Sequence, residues 1–507
     1  MLSLIYSASI NGIDANIVEV ETYISSGMPI FSIVGLADIA VKESRDRVAA
    51  ALKNSGFDFP AKKIIVNLAP ADIKKEGVIF DLPIALGILA ANGKIKKDNL
   101  KNFCAVGELS LDGKVRRVKG VLPISLILNK NQIENFIVPF ANRQEASVTG
   151  KTNVFPFKNL IEVAKFINGE IDCNPYAQDK NNLICFPECE YDFVDVKGQK
   201  NAKRACEIAA AGGHNMLMSG PPGSGKTMIA KRISSILPPM TFDEAIETTK
   251  IWSAAGHAFN GGLINNRTFR SPHHTSSTAA LAGGGVCPKP GEVSLSHNGV
   301  LFLDEFAEFR RDALEVLRQP LEDKRITVSR AKNSFTFPAS FMLVAAMNPC
   351  PCGNLGHREK ECVCNPNQIR KYQSKVSGPL MDRIDIHIEV PALKFSELSS
   401  LTSESENSSN IRERVIKARE IQTLRFVNTK IHCNAQMQSK EVKKYCVLDD
   451  KSYDMLKTAI DKLNFSARSY DKILKVSRTI ADLDSSDNIK AGHIAEAIYY
   501  RFFDRLI

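Results

Sequence analysis

The chain has 507 residues, 44% of them hydrophobic and 24% charged, with a net charge of +10 and 12 cysteines. That length suits two to four domains, and no apolar run approaches the roughly 20 residues that span a bilayer, so a membrane protein is excluded and a cytoplasmic one expected. The charge permits contact with a polyanion without requiring it, and cysteines in that compartment are expected as thiols or metal ligands rather than disulfides.

Residues 1–168 read as mixed α/β. The stretches Ala15–Thr22 and Lys63–Leu68 alternate like strands. Asp38 to Leu52 has helical spacing with Asp38 as its N-cap. Asp81 to Ala91 is a second, well-buried helix that tolerates Pro83 in its first turn. Residues 169–190 are polar, carry two prolines and lack periodicity, as a linker does.

Residues 191–393 carry the chemistry. Gly220, Pro221, Pro222, Gly223, Ser224, Gly225, Lys226 and Thr227 follow an apolar strand-like stretch, Asn215-Met-Leu-Met218. They open a helical one, Met228-Ile-Ala-Lys-Arg-Ile233. Strand, glycine loop and helix in that order form a P-loop. The glycines let backbone N–H groups turn inward around a polyphosphate, and the helix N-terminus adds partial positive charge. Lys226 can reach the outer phosphates, and the Thr227 hydroxyl can sit on Mg²⁺. ATP and Mg²⁺ are therefore the expected ligands.

Gly299-Val-Leu-Phe-Leu-Asp304-Glu305 is an apolar strand ending in two acids, a Walker B pattern. Asp304 would hold Mg²⁺ through water, and Glu305 would polarise the attacking water. A third strand, Phe341-Met-Leu-Val-Ala-Ala-Met347, ends at Asn348, which can orient that water as a sensor 1 residue does. Between them, Leu321 to Phe337 reads as a hairpin, with Arg325, Arg330 and Lys332 either phosphate contacts or a solvated basic face. Cys350, Cys352, Cys362 and Cys364 form two close pairs that could close a tetrahedral Zn²⁺ site. Free or redox thiols and an iron–sulfur site stay open. Residues 394–410 are serine-rich and read as a connection, and residues 411–507 are helical.

This order of motifs resembles the AAA+ ATPases. The runs Phe269-Arg-Ser-Pro-His-His-Thr275, Ala280-Leu-Ala-Gly-Gly-Gly285 and Pro290 to Gly299 narrow the resemblance to the magnesium-chelatase-like group. The resemblance implies that Arg383, in Ser377-Gly-Pro-Leu-Met-Asp-Arg383, is an arginine finger acting on a neighbouring subunit's γ-phosphate. It implies that Arg468, in Ser466-Ala-Arg468, is sensor 2, that residues 411–507 are a lid, and that hairpins of the 321–337 kind face a ring pore. His273 and His274 would belong to the second-helix insertion or simply fix a loop.

In the first 168 residues, Gly107-Glu-Leu-Ser-Leu-Asp-Gly-Lys-Val115 and Ile137-Val-Pro139 resemble the proteolytic domain of Lon, a ribosomal S5 domain 2-like α/β fold. Ile79 stands where Lon has its serine, and Leu122 where it has its lysine. Isoleucine has no nucleophile to activate, so this domain is expected to be proteolytically dead. The whole arrangement resembles the YifB/ComM family. That resemblance implies a cytoplasmic homo-hexameric motor on single-stranded or branched DNA, serving branch migration in recombination or natural transformation. An ATPase partner in metal insertion, an ATP-dependent protease and a protein-remodelling ATPase are the competing readings.

Overall fold

The computed structural model describes residues 1–177, 191–257, 262–285, 288–329, 334–357, 360–392, 406–429, 431–463 and 465–501. The latter part of the expected linker (178–190), most of the serine-rich connection (393–405), and Arg330 and Lys332 lie outside the described residues. The chain divides into two compact units. One comprises Met1–Cys185, Thr241–Asn265 and Cys287–Pro290, and the other Phe186–Met240, Asn266–Val286 and Gly291–Ile507.

The first unit is built on a seven-stranded mixed sheet. Its order is Phe31–Val34, Lys63–Ala69, Asp14–Ser25, Leu2–Asn11, Phe103–Ala105, Asn135–Pro139, Asn153–Phe157. Along Asp14–Ser25 the apolar residues Val18, Val20 and Ile24 enter the core. This is the period-two pattern of a strand with one buried face. Helix Ile39–Asn54 starts where Asp38 accepts a hydrogen bond from Val41 N at 2.8 Å. Helix Asp81–Ala91 is buried at every residue, as its unbroken apolar run requires. Its one acid, Asp81, meets Arg47 at 2.9 and 3.0 Å. Ile79 and Leu122 are both buried apolar side chains.

Helix Phe242–Ala255 belongs to this first unit, although its sequence lies within the 191–393 stretch expected to form the ATPase core. Thr241 and Glu244 form its capping box. Ser253 Oγ donates to Glu145 Oε1 at 2.5 Å, and Lys250 pairs with Asp14. Glu145 in turn accepts from the N–H groups of Val121 and Leu122, at 3.1 Å each, at the start of helix Val121–Lys130. Local periodicity predicts a helix at 242–255 but not which unit buries its apolar side.

The second unit contains a five-stranded parallel sheet in the order Phe269–Arg270, Val300–Leu303, Met342–Met347, Met216–Ser219, Ile386–Glu389. The three middle strands are buried at every residue. Continuous apolar runs of this kind mark a parallel sheet covered on both faces. Parallel pairing also brings the ends of these strands to one edge, with Leu303 opposite Ala345 and Ser219 opposite Met347. Helices Ser408–Arg425, Ser439–Tyr445, Asp450–Leu463, Ala467–Leu483 and Ala491–Tyr499 complete the unit. Buried Asp482 binds them from within, accepting from Arg425 at 2.8 Å, Arg478 at 3.0 Å and Asn434 at 2.8 Å.

Candidate nucleotide site

The loop from Gly220 to Gly225 links strand Met216–Ser219 to helix Lys226–Ile236. Two positions require glycine by backbone alone, Gly223 at φ 77° and Gly225 at φ 90°. A third, Gly220, requires it by proximity, since a Cβ there would stand 2.2 Å from the Val390 carbonyl oxygen.

Lys226 is nearly buried, and its Nζ donates to Gly220 O at 2.7 Å and Pro221 O at 2.9 Å. Asn348 Oδ1 lies 3.4 Å from the same nitrogen. Burial lowers the Lys226 pKa, and Asp304 opposes that shift. Thr227 Oγ1 donates to Asp304 Oδ2 at 2.6 Å. The residues expected from sequence at the ends of three different strands therefore meet. A hydroxyl paired with a carboxylate, beside an ammonium fixed by loop carbonyls, is a hard oxygen donor set with a mobile cation arm. It fits Mg²⁺ and a polyphosphate.

Glu305 is held differently. Its backbone is left-handed, with φ 52°, and its N–H donates to Asp304 Oδ1 at 2.9 Å. Its carboxylate oxygen Oε2 lies 2.8 Å from His274 Nδ1. Nothing in the motif pattern signalled this partner.

Arg383 and Arg468 do not join the loop. Both meet Glu322, Arg383 directly and Arg468 at 3.9 Å, and Arg383 also donates to Pro379 O at 2.5 Å. The Arg383 guanidinium holds the Glu322 carboxyl below its ordinary range. Two arginines 85 positions apart in sequence thus share one acid, which spacing alone could not indicate. Arg325 is exposed at the start of an antiparallel hairpin, Arg325–Ser329 with Ser334–Pro338.

The four cysteines converge. Their sulfur atoms all lie within 4.8 Å of one another, and Cys350, Cys352 and Cys362 are separated by 3.4 to 3.6 Å. A disulfide needs about 2.05 Å. Four thiolates at about 2.3 Å from one tetrahedral ion stand about 3.8 Å apart, so the set fits such an ion. The Asn354 N–H, followed by that of Val363, lowers the Cys352 thiol to about 6. The same loop touches the nucleotide loop, because a Cβ on Gly353 would stand 2.5 Å from Pro222 Cδ.

Three family matches run along the chain. Residues 192–398 match magnesium chelatase, subunit ChlI; residues 20–142 match subunit ChlI of Mg-chelatase; residues 405–501 match the ChlI C-terminal family. Competence protein ComM of Haemophilus influenzae is 46% identical over 509 residues, covering 100% of this chain and 98% of that protein. The uncharacterized protein YifB of Salmonella typhimurium is 42% identical over 507 residues, covering 100% of this chain and 98% of that one. Lon protease 2 of Bacillus subtilis is 29% identical over 150 residues, 27% of this chain and 26% of the protease.

Proposed function

Because the chain belongs to the YifB/ComM family of magnesium-chelatase-like AAA+ ATPases, with a Lon-protease-like N-terminal region, we propose that it is an ATP-driven, ring-forming DNA motor. Its substrate would be single-stranded or branched DNA, and its task branch migration and heteroduplex extension in recombination or natural transformation. The family implies an ATPase that uses ATP and Mg²⁺. The observation that carries the finer reading is full-length identity of 46% to a competence protein, joined to a nucleotide loop whose lysine, threonine, Asp304 and Asn348 already contact one another.

Each residue then has a task. Backbone N–H groups of Gly220 to Gly225 cradle the phosphates, and Lys226 neutralises the outer ones. Thr227 and Asp304 hold Mg²⁺, which when bound neutralises charge building on the β- and γ-phosphate oxygens. Glu305 accepts the proton of the attacking water, and Asn348 orients that water. Arg383 and Arg468, gathered by Glu322, reach the γ-phosphate of the next subunit in a homo-hexamer. Arg325, with Arg330 and Lys332, tracks the DNA backbone. The first unit serves as a scaffold without protease activity, since Ile79 and Leu122 cannot form a serine–lysine dyad. Cys350, Cys352, Cys362 and Cys364 hold Zn²⁺ and brace the loop after Asn348.

The match of residues 192–398 to a magnesium chelatase subunit favours a second reading, an ATPase partner in metal insertion. ATPase assays separate the two. Turnover is measured with and without single-stranded and four-way-junction DNA at low salt, where phosphate contacts are strongest. Glu305→Gln is the control. DNA stimulation that disappears in the control supports the motor; turnover indifferent to every DNA would refute it.

A further inference from the structure

The hydrogen bonds of the nucleotide site are closed among Lys226, Thr227, Asp304, Asn348 and the loop carbonyls. The Glu305 carboxylate stands outside that set. The polar partner the structure gives it is His274 Nδ1, at 2.8 Å. A carboxylate only accepts, so Nδ1 carries the proton and donates it.

His274 is a half-buried residue on the segment joining strand Phe269–Arg270 to helix Thr278–Ala282. Both ends of that segment are anchored. Arg270 forms two bonds of 2.6 Å to Glu292, and Thr278 Oγ1 donates to Asp312 at 3.2 Å. Between the anchors, exposed residues alternate with half-buried ones. Ser271, His273, Thr275 and Ser277 face solvent, while His274 turns inward to Glu305 and edge-on to Phe309. The His273 and His274 rings lie 4.1 Å apart, so a shift of the exposed ring is passed to the buried one.

We infer that His274 is a positioning residue that restrains hydrolysis, tethering the Glu305 carboxylate away from the attacking water until the exposed segment 271–277 is engaged. The physical reason is competition. A general base must offer an oxygen lone pair to water within hydrogen-bond reach. A charge-assisted bond to imidazole occupies one such pair and makes the carboxylate a weaker base. The left-handed backbone at Glu305 limits how far the side chain can reach while the tether holds. The inference rests on the assignment of Glu305 as the base under the proposed function, and DNA is the probe of engagement.

The test is steady-state ATP hydrolysis by the full chain without DNA and with single-stranded DNA. His274→Ala is expected to raise basal kcat about tenfold, the factor given by about 1.4 kcal/mol off the barrier, with KM for ATP unchanged. DNA stimulation should shrink towards onefold. His274→Asn keeps an N–H donor near the Nδ1 position and should behave like the native chain, which a merely structural role would not predict. His274→Ala combined with Glu305→Gln should be as inactive as Glu305→Gln alone. Basal kcat that is unchanged or lowered in His274→Ala would overturn the inference. Hydrolysis persisting in Glu305→Gln would overturn it together with the assigned base. A native chain deaf to DNA, with His274→Ala still raised in basal kcat, would leave the restraint standing and refute the DNA motor.

Discussion

The contact between the cysteine loop and the nucleotide loop can be tested through a single added methyl group. Gly353 has φ 78°, and a Cβ there would stand 2.5 Å from Pro222 Cδ and 2.9 Å from Pro222 Cγ. In Gly353→Ala the left-handed backbone costs about 1–2 kcal/mol. Overpacking adds about 1–3 kcal/mol, because Pro222 is a ring in the backbone and cannot rotate away. Only moving the nucleotide loop relieves that second part. If it is drawn from nucleotide binding, ATP affinity falls about 5- to 150-fold, at 1.4 kcal/mol per tenfold. Gly356 supplies the control from the same loop. Its φ is 77°, and its nearest neighbour, Glu389 Oε1, would lie an ordinary 3.6 Å away. Gly356→Ala should lose about 1–2 kcal/mol of stability while keeping ATP affinity. Titration of a fluorescent ATP analogue, beside thermal melts, separates the two effects. Equal ATP affinity in both variants would refute the idea that the cysteine loop supports the nucleotide loop.

Two further outcomes follow from the second unit. Protein purified under reducing conditions should contain about one Zn²⁺ per chain by elemental analysis, and Cys352→Ser with Cys364→Ser should remove it and lower ATP turnover; metal-free native protein with full turnover would refute the zinc assignment. Asp385 is buried and, against the cost of that burial, Lys472 at 3.1 Å and His214 at 3.2 Å hold its carboxyl far below the ordinary value of 3.8. Its folded pKa is depressed, so its stabilisation is present above pH 3.8 and is lost as pH falls below that value. Asp385→Asn should cost about 3–5 kcal/mol near neutral pH by stranding Lys472, and flatten the acid limb of a Tm–pH profile; an unchanged profile would contradict the pairing.

What could be read from sequence was whatever is encoded within one element. The P-loop, the acids after Val300–Leu303 and the asparagine after Met342–Met347 each announce themselves by an apolar strand and its first polar residues. A parallel sheet then has little choice but to bring those strand ends together. Helix Asp81–Ala91 and the Asp38 cap were legible for the same reason. The residues that escaped were those whose role depends on a partner elsewhere in the chain. His274 sits in a run of small polar residues with no period, and only the fold brings it to Glu305. Helix Phe242–Ala255 has the same pattern whichever unit buries it.

Arg383 and Arg468 show how such a blind spot bears on mechanism. A motif match assigns each arginine a task at a γ-phosphate, yet in this chain both turn to Glu322, and neither bonds to Lys226, Thr227, Asp304 or Asn348. Two cations drawn to one acid lose less on separation from their own loop than either would alone. Arg383 is largely covered while Arg468 remains 60% exposed, so the pair presents one fixed and one mobile cation. A neighbouring subunit carrying a polyphosphate at its own loop would offer more negative charge than Glu322 does. That contrast supports a site completed between subunits, with Glu322 as the resting partner the arginines leave when the ring closes on ATP.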